Sequence, residues 1–315
     1  MNLVFCGTPH FAVPTLDALV SNGHKISLII SQPDRPSGRG RQIATSPVKQ
    51  RALQLQVPLQ QPVKLKNNPA LQLQLEEIKP DAIVVVAYGR LIPVWMLDLP
   101  RLGTFNVHAS LLPKYRGAAP IQWAIANGEK TTGVTIMRLD EGLDTGPILL
   151  QKEIAIHPEE TALSLSPRLA DRGARLMLEA LEKVAAGTIK PLPQDHALAT
   201  FAPLLTKQDG QIDFSQTAYE IHNRLRGFQP WPGVFTGFRG RQLQLIAARV
   251  ARPPSSIMPG TILAERNQLF FGCGGGTALE VLEVHPEGKK RMNVREFLSG
   301  YRPQKNEILG TGSSE

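Results

Sequence analysis

Residues 81–87 read Asp-Ala-Ile-Val-Val-Val-Ala, and this short stretch decides the fold class. A continuous β-branched run of this length is typical of a strand that is covered on both faces, as in a parallel sheet. Other apolar runs are further strand candidates: residues 3–6, 25–31, 104–108 and 132–138. Helical patterns such as residues 12–21 and 70–78 lie between these runs. Strands that alternate with helices predict an α/β domain with a Rossmann-like, mostly parallel sheet.

The pattern of apolar residues changes in the second half of the chain. Short apolar segments follow residue 209, separated by Gly, Pro and polar residues, and they predict a small β-barrel or sandwich. These segments are residues 234–238, 242–250, 260–263, 269–273 and 278–284. Pro191, Pro193 and Pro203 interrupt a polar stretch between the two halves, which indicates a linker. We therefore predict an α/β domain over residues 1–189, a linker over 190–208 and a smaller β domain over 209–315.

Charge and composition limit the possible partners. The 315 residues carry a net charge of +8, which favours polyanions such as nucleic acid, nucleotides or an anionic membrane surface. A basic protein without such a partner has the same charge, so both interpretations stay open. The sequence has no apolar run of about 18 residues, so we expect no membrane span. Its first residues lack the basic and extended apolar regions of a signal peptide.

Cofactor motifs are missing from the sequence. Gly7-Thr8-Pro9 follows the first strand where G-x-G-x-x-G would be needed for a dinucleotide, and no G-x-x-x-x-G-K-[ST] occurs. We therefore expect no nicotinamide, flavin or ATP site. Cys6 and Cys273 are far apart in sequence and give neither a disulfide framework nor a zinc pattern. They are expected to be buried thiols in a reducing cytoplasm.

Two segments contain the candidate chemistry. Residues 106–120 read Asn-Val-His-Ala-Ser-Leu-Leu-Pro-Lys-Tyr-Arg-Gly-Ala-Ala-Pro, and their spacing places Asn106 and His108 on one face of a strand. They fall near its C-terminal end, where open α/β sheets bind ligands. The structural alternative is a hydrogen-bonded Asn and His in the core. Residues 140–147 contain three acids and two glycines, which indicates either a shaped loop that folds back with Asp144 over the strand end or a solvated turn.

Together these segments resemble the signature of the folate-dependent formyltransferase family, N-x-H-x-S-L-L-P-x-[YWHF]-[RK]-G-x-x-P followed by G-x-D-x-G. Nearly the whole chain is similar to the methionyl-tRNA formyltransferases within that family. The further matching segments are Gly7-Thr8-Pro9, Gln32-Pro33-Asp34-Arg35-Pro36, Ala87-Tyr88-Gly89 and Pro230-Trp231-Pro232.

The resemblance implies a reaction and three catalytic residues. The formyl group of 10-formyltetrahydrofolate would pass to the amino group of methionyl-initiator tRNA, without a metal, a nucleotide cofactor or a covalent enzyme intermediate. Asn106 would donate its amide to the formyl oxygen as negative charge develops there. His108 would relay the proton that the attacking amine loses. Asp144 would orient the histidine and bias it electrostatically, or would do so for a water bound beside it.

The resemblance also implies binding residues. The residues expected to contact folate are Ser110, Leu111, Leu112 and Pro113, together with the backbone at Arg90, Leu91 and Ile92. The residues expected to contact tRNA are Arg39 and Arg41 of the basic loop 34–42, and the cluster Lys289, Lys290 and Arg291. That cluster belongs to the second domain, which resembles an OB-fold in the family. Solvated charge is the alternative for both basic segments. We expect a monomer.

Other functions share parts of this pattern. Glycinamide ribonucleotide formyltransferases, formyl-tetrahydrofolate hydrolases and sugar-nucleotide formyltransferases have the same Asn, His and Asp core. The first of these ends without a barrel domain. A catalytically inactive RNA-binding protein on the same scaffold is an alternative of a different class, and intact Asn106, His108 and Asp144 count against it.

Overall fold

The computed structural model describes residues 1–37 and 42–310. These residues form two compact units. The first comprises residues 1–120, 131–155 and 165–203, and the second comprises 121–130, 156–164 and 204–315. Arg39 and Arg41 lie outside the described residues, as does the tail from residue 311.

The first unit is built on a seven-stranded sheet with the order β5-β2-β1-β6-β7-β8-β9. Its strands are β1 (Asn2–Gly7), β2 (Lys25–Ile30), β5 (Leu59–Gln60), β6 (Ala82–Val86), β7 (Gly103–His108), β8 (Thr131–Arg138) and β9 (Ile148–Ala155). A separate two-stranded ladder joins β3 (Arg35–Ser37) to β4 (Gln42–Ala44). The pairs from β5 to β7 are parallel, whereas β7 with β8 and β8 with β9 are antiparallel. The predicted Rossmann-like, mostly parallel sheet is confirmed.

Buried apolar strands explain why this sheet forms. All five residues of β6 are buried, as expected for a central parallel strand that is covered on both faces. A core cluster on one side joins β1, β2 and β6 through Val4, Leu28 and Ile83 to the helix residue Leu75. Every residue of β7 is buried as well, including the polar Asn106 and His108. Two polar side chains on an interior strand therefore need a reason other than packing.

Helices connect these strands. Those of the first unit are α1 (Val13–Ser21), α2 (Pro47–Leu55), α3 (Pro69–Ile78), α4 (Val94–Asp98) and, from residue 165 on, α6 (Ala162–Ala185), whereas α5 (Pro120–Ala126) falls in the second unit from residue 121 on. Helix α2 begins with Pro47 after Ser46, whose hydroxyl accepts from the Lys49 amide, and Asn68 caps α3 in the same way. A side-chain acceptor followed by proline satisfies the first helical N–H groups and supplies a helical φ.

The second unit contains an antiparallel sheet with the order β10-β11-β14-β13-β12. Its elements from residue 204 on are α7 (Ala218–Gly227), β10 (Val234–Phe238), β11 (Arg241–Ala251), β12 (Ile262–Glu265), β13 (Gln268–Gly272), β14 (Ala278–Pro286), β15 (Met292–Asn293), which pairs with β14, and α8 (Val294–Tyr301). The register between β11 and β14 shifts on both sides of Ala247. Such bulges bend and twist a strand, as the strongly curved sheets of small β domains require. A separate, smaller β domain, predicted from the short apolar segments, is confirmed.

Candidate active site

Asn106 and His108 lie on the same face of β7, at its C-terminal end. Both are buried, with 9% and 5% of their surface exposed. The Asn106 side-chain amide makes no hydrogen bond to any residue of ranges 1–37 and 42–310, although the residue is almost entirely buried. Since none of these residues occupies it, this side chain is available to a ligand atom.

His108 has its two ring nitrogens in different surroundings. Its Nε2 lies 2.9 Å from the Tyr115 carbonyl oxygen, which can only accept, so Nε2 carries the proton in the neutral ring. Its Nδ1 lies 3.7 Å from Oδ2 of Asp144, which is longer than a hydrogen bond. Nδ1 is therefore the nitrogen that can take up a proton. The imidazolium would then face a carbonyl on one side and a carboxylate on the other.

The Asp144 carboxylate is held by the main chain of the other signature segment. Its Oδ2 accepts a hydrogen bond of 2.8 Å from the Gly117 amide. Asp144 has φ of 55°, a left-handed conformation that residues with a side chain seldom adopt. The expectation that this loop folds back toward His108 agrees with the structure.

Two signature glycines make this approach possible. Gly117 has φ of 119°, and a Cβ there would lie 2.7 Å from the Ala202 carbonyl oxygen. A Cβ on Gly146 would lie 1.9 Å from the Arg138 carbonyl oxygen. No side chain fits at either position unless the backbone moves, so both glycines are needed for the geometry around Asp144.

The loop after β7 is fixed by a hydroxyl on the neighbouring strand. Thr135 on β8 donates its Oγ1 hydroxyl to the Ser110 carbonyl over 2.7 Å and accepts from the Leu112 amide over 3.1 Å. Gln151 on β9 donates to the same hydroxyl and to the Leu112 carbonyl. Ser110 is buried and gives its own hydroxyl to the Lys114 carbonyl. Ser110 thus shapes the loop, which also contains a cis Leu112–Pro113 bond.

The predicted folate residues at positions 90–92 lie after β6. The Arg90 guanidinium donates to the carbonyls of Pro62 and Val63 and so braces a neighbouring loop. Leu91 is 70% exposed, whereas Ile92 packs on the core cluster beneath it. The exposed side chain of Leu91 and the half-buried Ile92 leave an apolar surface on this segment.

Sequence reasoning missed the residues that support the main chain at Asp144. Gln194 is buried and donates its amide to the carbonyls of Asp144 and Gly146 over 2.9 and 2.7 Å. Its Oε1 accepts from Arg116, which is itself buried. Gln194 belongs to the proline-containing stretch that we interpreted as a linker, and no local pattern distinguishes it from the other polar residues there.

The matching segments near residues 8, 32 and 88 also come together. The Tyr88 carbonyl accepts from the Thr8 hydroxyl over 3.2 Å and from the Gln32 amide over 3.1 Å. Burial raises the pKa of the Tyr88 phenol to about 12, so that side chain stays neutral. These contacts fix the turns that follow β1 and β6. Strand β6 is the neighbour of β7 in the sheet.

Comparisons with known proteins identify the family. The model described as "Formyl transferase" matches residues 1–181, and the one described as "Formyl transferase, C-terminal domain" matches residues 204–302. A methionyl-tRNA formyltransferase from Koribacter versatilis is 57% identical over 314 residues, which is 100% of each chain. Another from Acidobacterium capsulatum is also 57% identical and covers 95% of this chain and 96% of its own. The chain belongs to the methionyl-tRNA formyltransferase family.

Solved formyltransferases share the fold. The N-formyltransferase from Helicobacter canadensis, in complex with folinic acid and dTDP-3-aminofucose, matches with a TM-score of 0.66. It is 19% identical, and the match covers 89% of this chain and 98% of that one. At this identity the similarity establishes the formyltransferase fold alone. Formyl transfer from a folate-derived donor is the chemistry of the family.

Neither cysteine of this formyltransferase has the properties of a nucleophile. Both are buried and free. Burial raises the pKa of the Cys273 thiol to about 12 and also raises the pKa of Cys6. Within the described part of the chain, no three His, Cys, Asp or Glu side chains form a metal-binding group. No helix found there has the length and apolar character that crossing a membrane requires.

Two sets of basic residues in the second unit differ in their pairing. Arg239 pairs with Glu307, and Arg249 pairs with Glu280, so their charges are already matched. Lys289, Lys290 and Arg291 are all exposed in the turn after β14, and no ion pair to a described residue involves them. Of the two sets, the one without ion pairs to described residues is the better suited to phosphate contact.

Proposed function

We propose that this chain transfers the formyl group of 10-formyltetrahydrofolate to the amino group of methionyl-initiator tRNA, giving formylmethionyl-tRNA for translation initiation. The observation that carries the proposal is the unpartnered Asn106 amide beside the His108 and Asp144 pair. It occurs in a chain that is 57% identical, over its whole length, to a curated methionyl-tRNA formyltransferase.

The reaction forms one carbon–nitrogen bond and breaks another. The amine of the methionyl group attacks the formyl carbon, and the resulting tetrahedral centre carries negative charge on oxygen. The Asn106 amide donates to that oxygen. Because β7 is an interior strand and the amide has no hydrogen bond to a described residue to break, it can stabilise this charge without a rearrangement of the side chain.

The attacking amine loses a proton, and the departing folate nitrogen needs one. His108 accepts the proton at Nδ1 and returns it to the nitrogen of the leaving group. The Tyr115 carbonyl and the Asp144 carboxylate stabilise the imidazolium between these two events. Asp144 is held by Gly117 so that its charge faces the ring.

The folate lies against the loop of Ser110, Leu111, Leu112 and Pro113 and against the segment of Arg90, Leu91 and Ile92. The braced loop after β7 and the exposed Leu91 support this placement. The tRNA contacts Arg39, Arg41 and the exposed cluster Lys289, Lys290 and Arg291. Exposed cations with no ion-pair partner are available to phosphates, and their binding would release counterions.

The remaining parts of the proposal concern organisation. Residues 1–189 form the catalytic domain, 190–208 the linker and 209–315 an OB-like tRNA-binding domain; the linker residues 190–203 belong to the first compact unit. The enzyme acts as a monomer in the cytoplasm and needs neither a metal ion nor a nucleotide cofactor.

Transfer of labelled formyl from 10-formyltetrahydrofolate tests the function. Methionyl-initiator tRNA, methionyl-elongator tRNA, glycinamide ribonucleotide and a dTDP-amino sugar are compared as acceptors. We expect labelling of the initiator tRNA to exceed that of every other acceptor. Release of free formate without an acceptor would instead indicate a hydrolase. Tight tRNA binding without transfer would indicate an inactive RNA-binding protein.

A further inference from the structure

We propose that Gln194 and Arg116 are positioning residues for formyl transfer: they hold the main chain at Asp144 so that its carboxylate faces His108. This inference rests on the proposed function, because it concerns the rate of the same reaction. Neither residue need touch a substrate.

Asp144 needs external support. It adopts φ of 55° in a loop where Gly142 and Gly146 have no space for a Cβ. The Cβ of a residue at 142 would lie 1.9 Å from the Thr145 hydroxyl oxygen. A left-handed aspartate in so tight a loop is held in place only if the surrounding structure fixes its main chain.

Gln194 provides that support through both N–H groups of its amide. Nε2 lies 2.9 Å from the Asp144 carbonyl oxygen and 2.7 Å from the Gly146 carbonyl oxygen. A primary amide has two donor hydrogens, so each carbonyl receives one. Gln194 is only 6% exposed, and water therefore has little access to compete for these carbonyls.

Arg116 fixes the orientation of the Gln194 amide. Its Nε and Nη2 donate to Gln194 Oε1 over 3.2 and 2.7 Å. A guanidinium only donates and a carbonyl only accepts, so the amide cannot be turned over. The cation on Oε1 also polarises the amide and strengthens its two N–H donors.

The partners of the Arg116 guanidinium are neutral. Its Nη1 lies 3.2 Å from His196 Nδ1, and the described residues offer it no ion pair. A cation that is 96% buried and lacks a carboxylate partner contributes poorly to stability compared with an apolar side chain. A role in positioning the Asp144 loop explains why an arginine with only neutral described partners is buried here.

The main chain beside Arg116 completes the arrangement. Gly117 donates to the Asp144 carboxylate, while the Arg116 side chain acts through Gln194 on the Asp144 carbonyl. Arg116 is itself tied by backbone hydrogen bonds to Thr200 and Ala202. Asp144 is thus held at both its carboxylate and its carbonyl by one connected group, and small displacements at a reacting site reduce rate strongly.

Gln194→Glu separates positioning from folding. The glutamate keeps the shape of glutamine and gives Arg116 a carboxylate, but it has no N–H for the two carbonyls. We expect kcat for formyl transfer to fall about 10- to 100-fold, as for other groups that orient a reacting residue. KM for tRNA and for folate should change less than about threefold. Loss of two buried hydrogen bonds should lower the melting temperature, so a cooperative thermal transition above the assay temperature is the check that the variant is folded.

A double-mutant cycle with Asp144→Asn shows whether Gln194 acts through Asp144. In that background Gln194→Glu should cost less than about twofold in kcat, because the group that it positions is gone. Asn223→Asp is the matched control, since Asn223 Oδ1 accepts from the buried Arg226 over 2.6 Å in the second unit. It makes the same amide-to-carboxylate change beside a buried arginine and should leave kcat within about twofold.

The outcomes separate this inference from the function on which it rests. If the wild type does not formylate methionyl-tRNA, the proposed function is wrong. If it does, two results with folded protein would overturn the positioning role. One is a wild-type kcat in Gln194→Glu; the other is a loss of kcat on adding Gln194→Glu to Asp144→Asn that equals the loss on adding it to the wild type. Should Gln194→Glu not fold, Arg116→Lys provides the same test, because lysine keeps a donor to Oε1 but not the fork. The expected result is then a smaller loss of kcat that also disappears with Asp144→Asn.

Discussion

The two units differ in how their polar and charged side chains are buried and paired. In the first, Asn106, His108 and Arg116 are buried, and Asn106 and Arg116 lack the partners that would make burial favourable. In the second, Arg239 and Arg249 are ion-paired, Lys289, Lys290 and Arg291 are exposed without an ion pair to a described residue, and Arg226 is buried. Stability accounts for the ion-paired and exposed residues of the second unit, but not for the unpartnered Asn106 and Arg116 of the first. We therefore look for the chemistry among the buried polar residues of the first unit.

The largest effects are expected in the buried set. Alanine at Asn106, His108 or Asp144 should lower kcat by about two to four orders of magnitude, because each removes a group acting in the transition state. Double variants should lose less than the sum of the single losses in activation free energy. Single-turnover transfer of labelled formyl measures the chemical step, with thermal unfolding as the check on folding. Near-normal transfer by His108→Ala would contradict its assignment.

A second expected effect concerns Gly146, whose backbone lies close to the Arg138 carbonyl oxygen. Gly146→Ala should destabilise the protein by about 1 to 3 kcal/mol, the usual cost of forcing an extra methyl into a packed site. It should also lower kcat, since the Asp144 loop must move. Gly300→Ala is the matched control, because a Cβ in that part of α8 meets nothing within 4 Å. Denaturant unfolding should show the control to be about 0.5 to 1 kcal/mol more stable than the wild type.

The cluster Lys289, Lys290 and Arg291 should determine the affinity for tRNA rather than the rate of formyl transfer. Changing Lys289, Lys290 and Arg291 together to alanine should weaken tRNA binding and reduce its salt slope by about one unit per lost phosphate contact. Arg249→Ala serves for comparison, since its guanidinium already pairs with Glu280. Binding measured at several salt concentrations gives both slopes. An unchanged slope in the folded triple variant would mean that the cluster is only solvated, and the tRNA path would then have to be sought along Arg239, Arg241 and Arg249.

The smallest effect concerns the acid sensitivity of the ion-paired set. The hydrogen bond from Arg249 lowers the pKa of Glu280 from its ordinary value of 4.5. A carboxyl with a lowered pKa stabilises the folded state above its unfolded pKa, and that stabilisation is lost as pH falls through the folded pKa. The melting temperature of the wild type should therefore fall more between pH 6 and pH 3 than that of Glu280→Gln. Equal declines would show that this pair contributes no measurable pH dependence.

Local sequence patterns predicted the fold and the strand on which Asn106 and His108 lie. The β-branched run at 83–86 lies in β6, and the spacing of Asn106 and His108 correctly placed them on one face of β7. Both predictions depend on neighbours within a few residues. The left-handed Asp144 and its distance from His108 could not be obtained in this way, because the supporting hydrogen bond from Gly117 spans 27 residues.

Gln194 shows the same limit more strongly. Its contact with Asp144 spans 50 residues, and the stretch around it has the prolines and polar residues of a linker. Composition reports that a segment is exposed on average, but it does not reveal one buried amide within it. Likewise, nothing local indicated that Thr135 and Gln151 would brace the loop after β7.

The position of Gln194 has a consequence for exchanging recognition domains between formyltransferases. The two matched family models leave residues 182–203 unassigned, between the end of one at 181 and the start of the other at 204. A graft that joined a foreign acceptor-binding domain at residue 182 or 190 would retain Asn106, His108 and Asp144, yet discard the amide behind Asp144. Recombination after residue 203 keeps Gln194, Thr200 and Ala202 with the residues that they contact. A junction at that point therefore keeps the residues that support Asp144 together with Asn106 and His108.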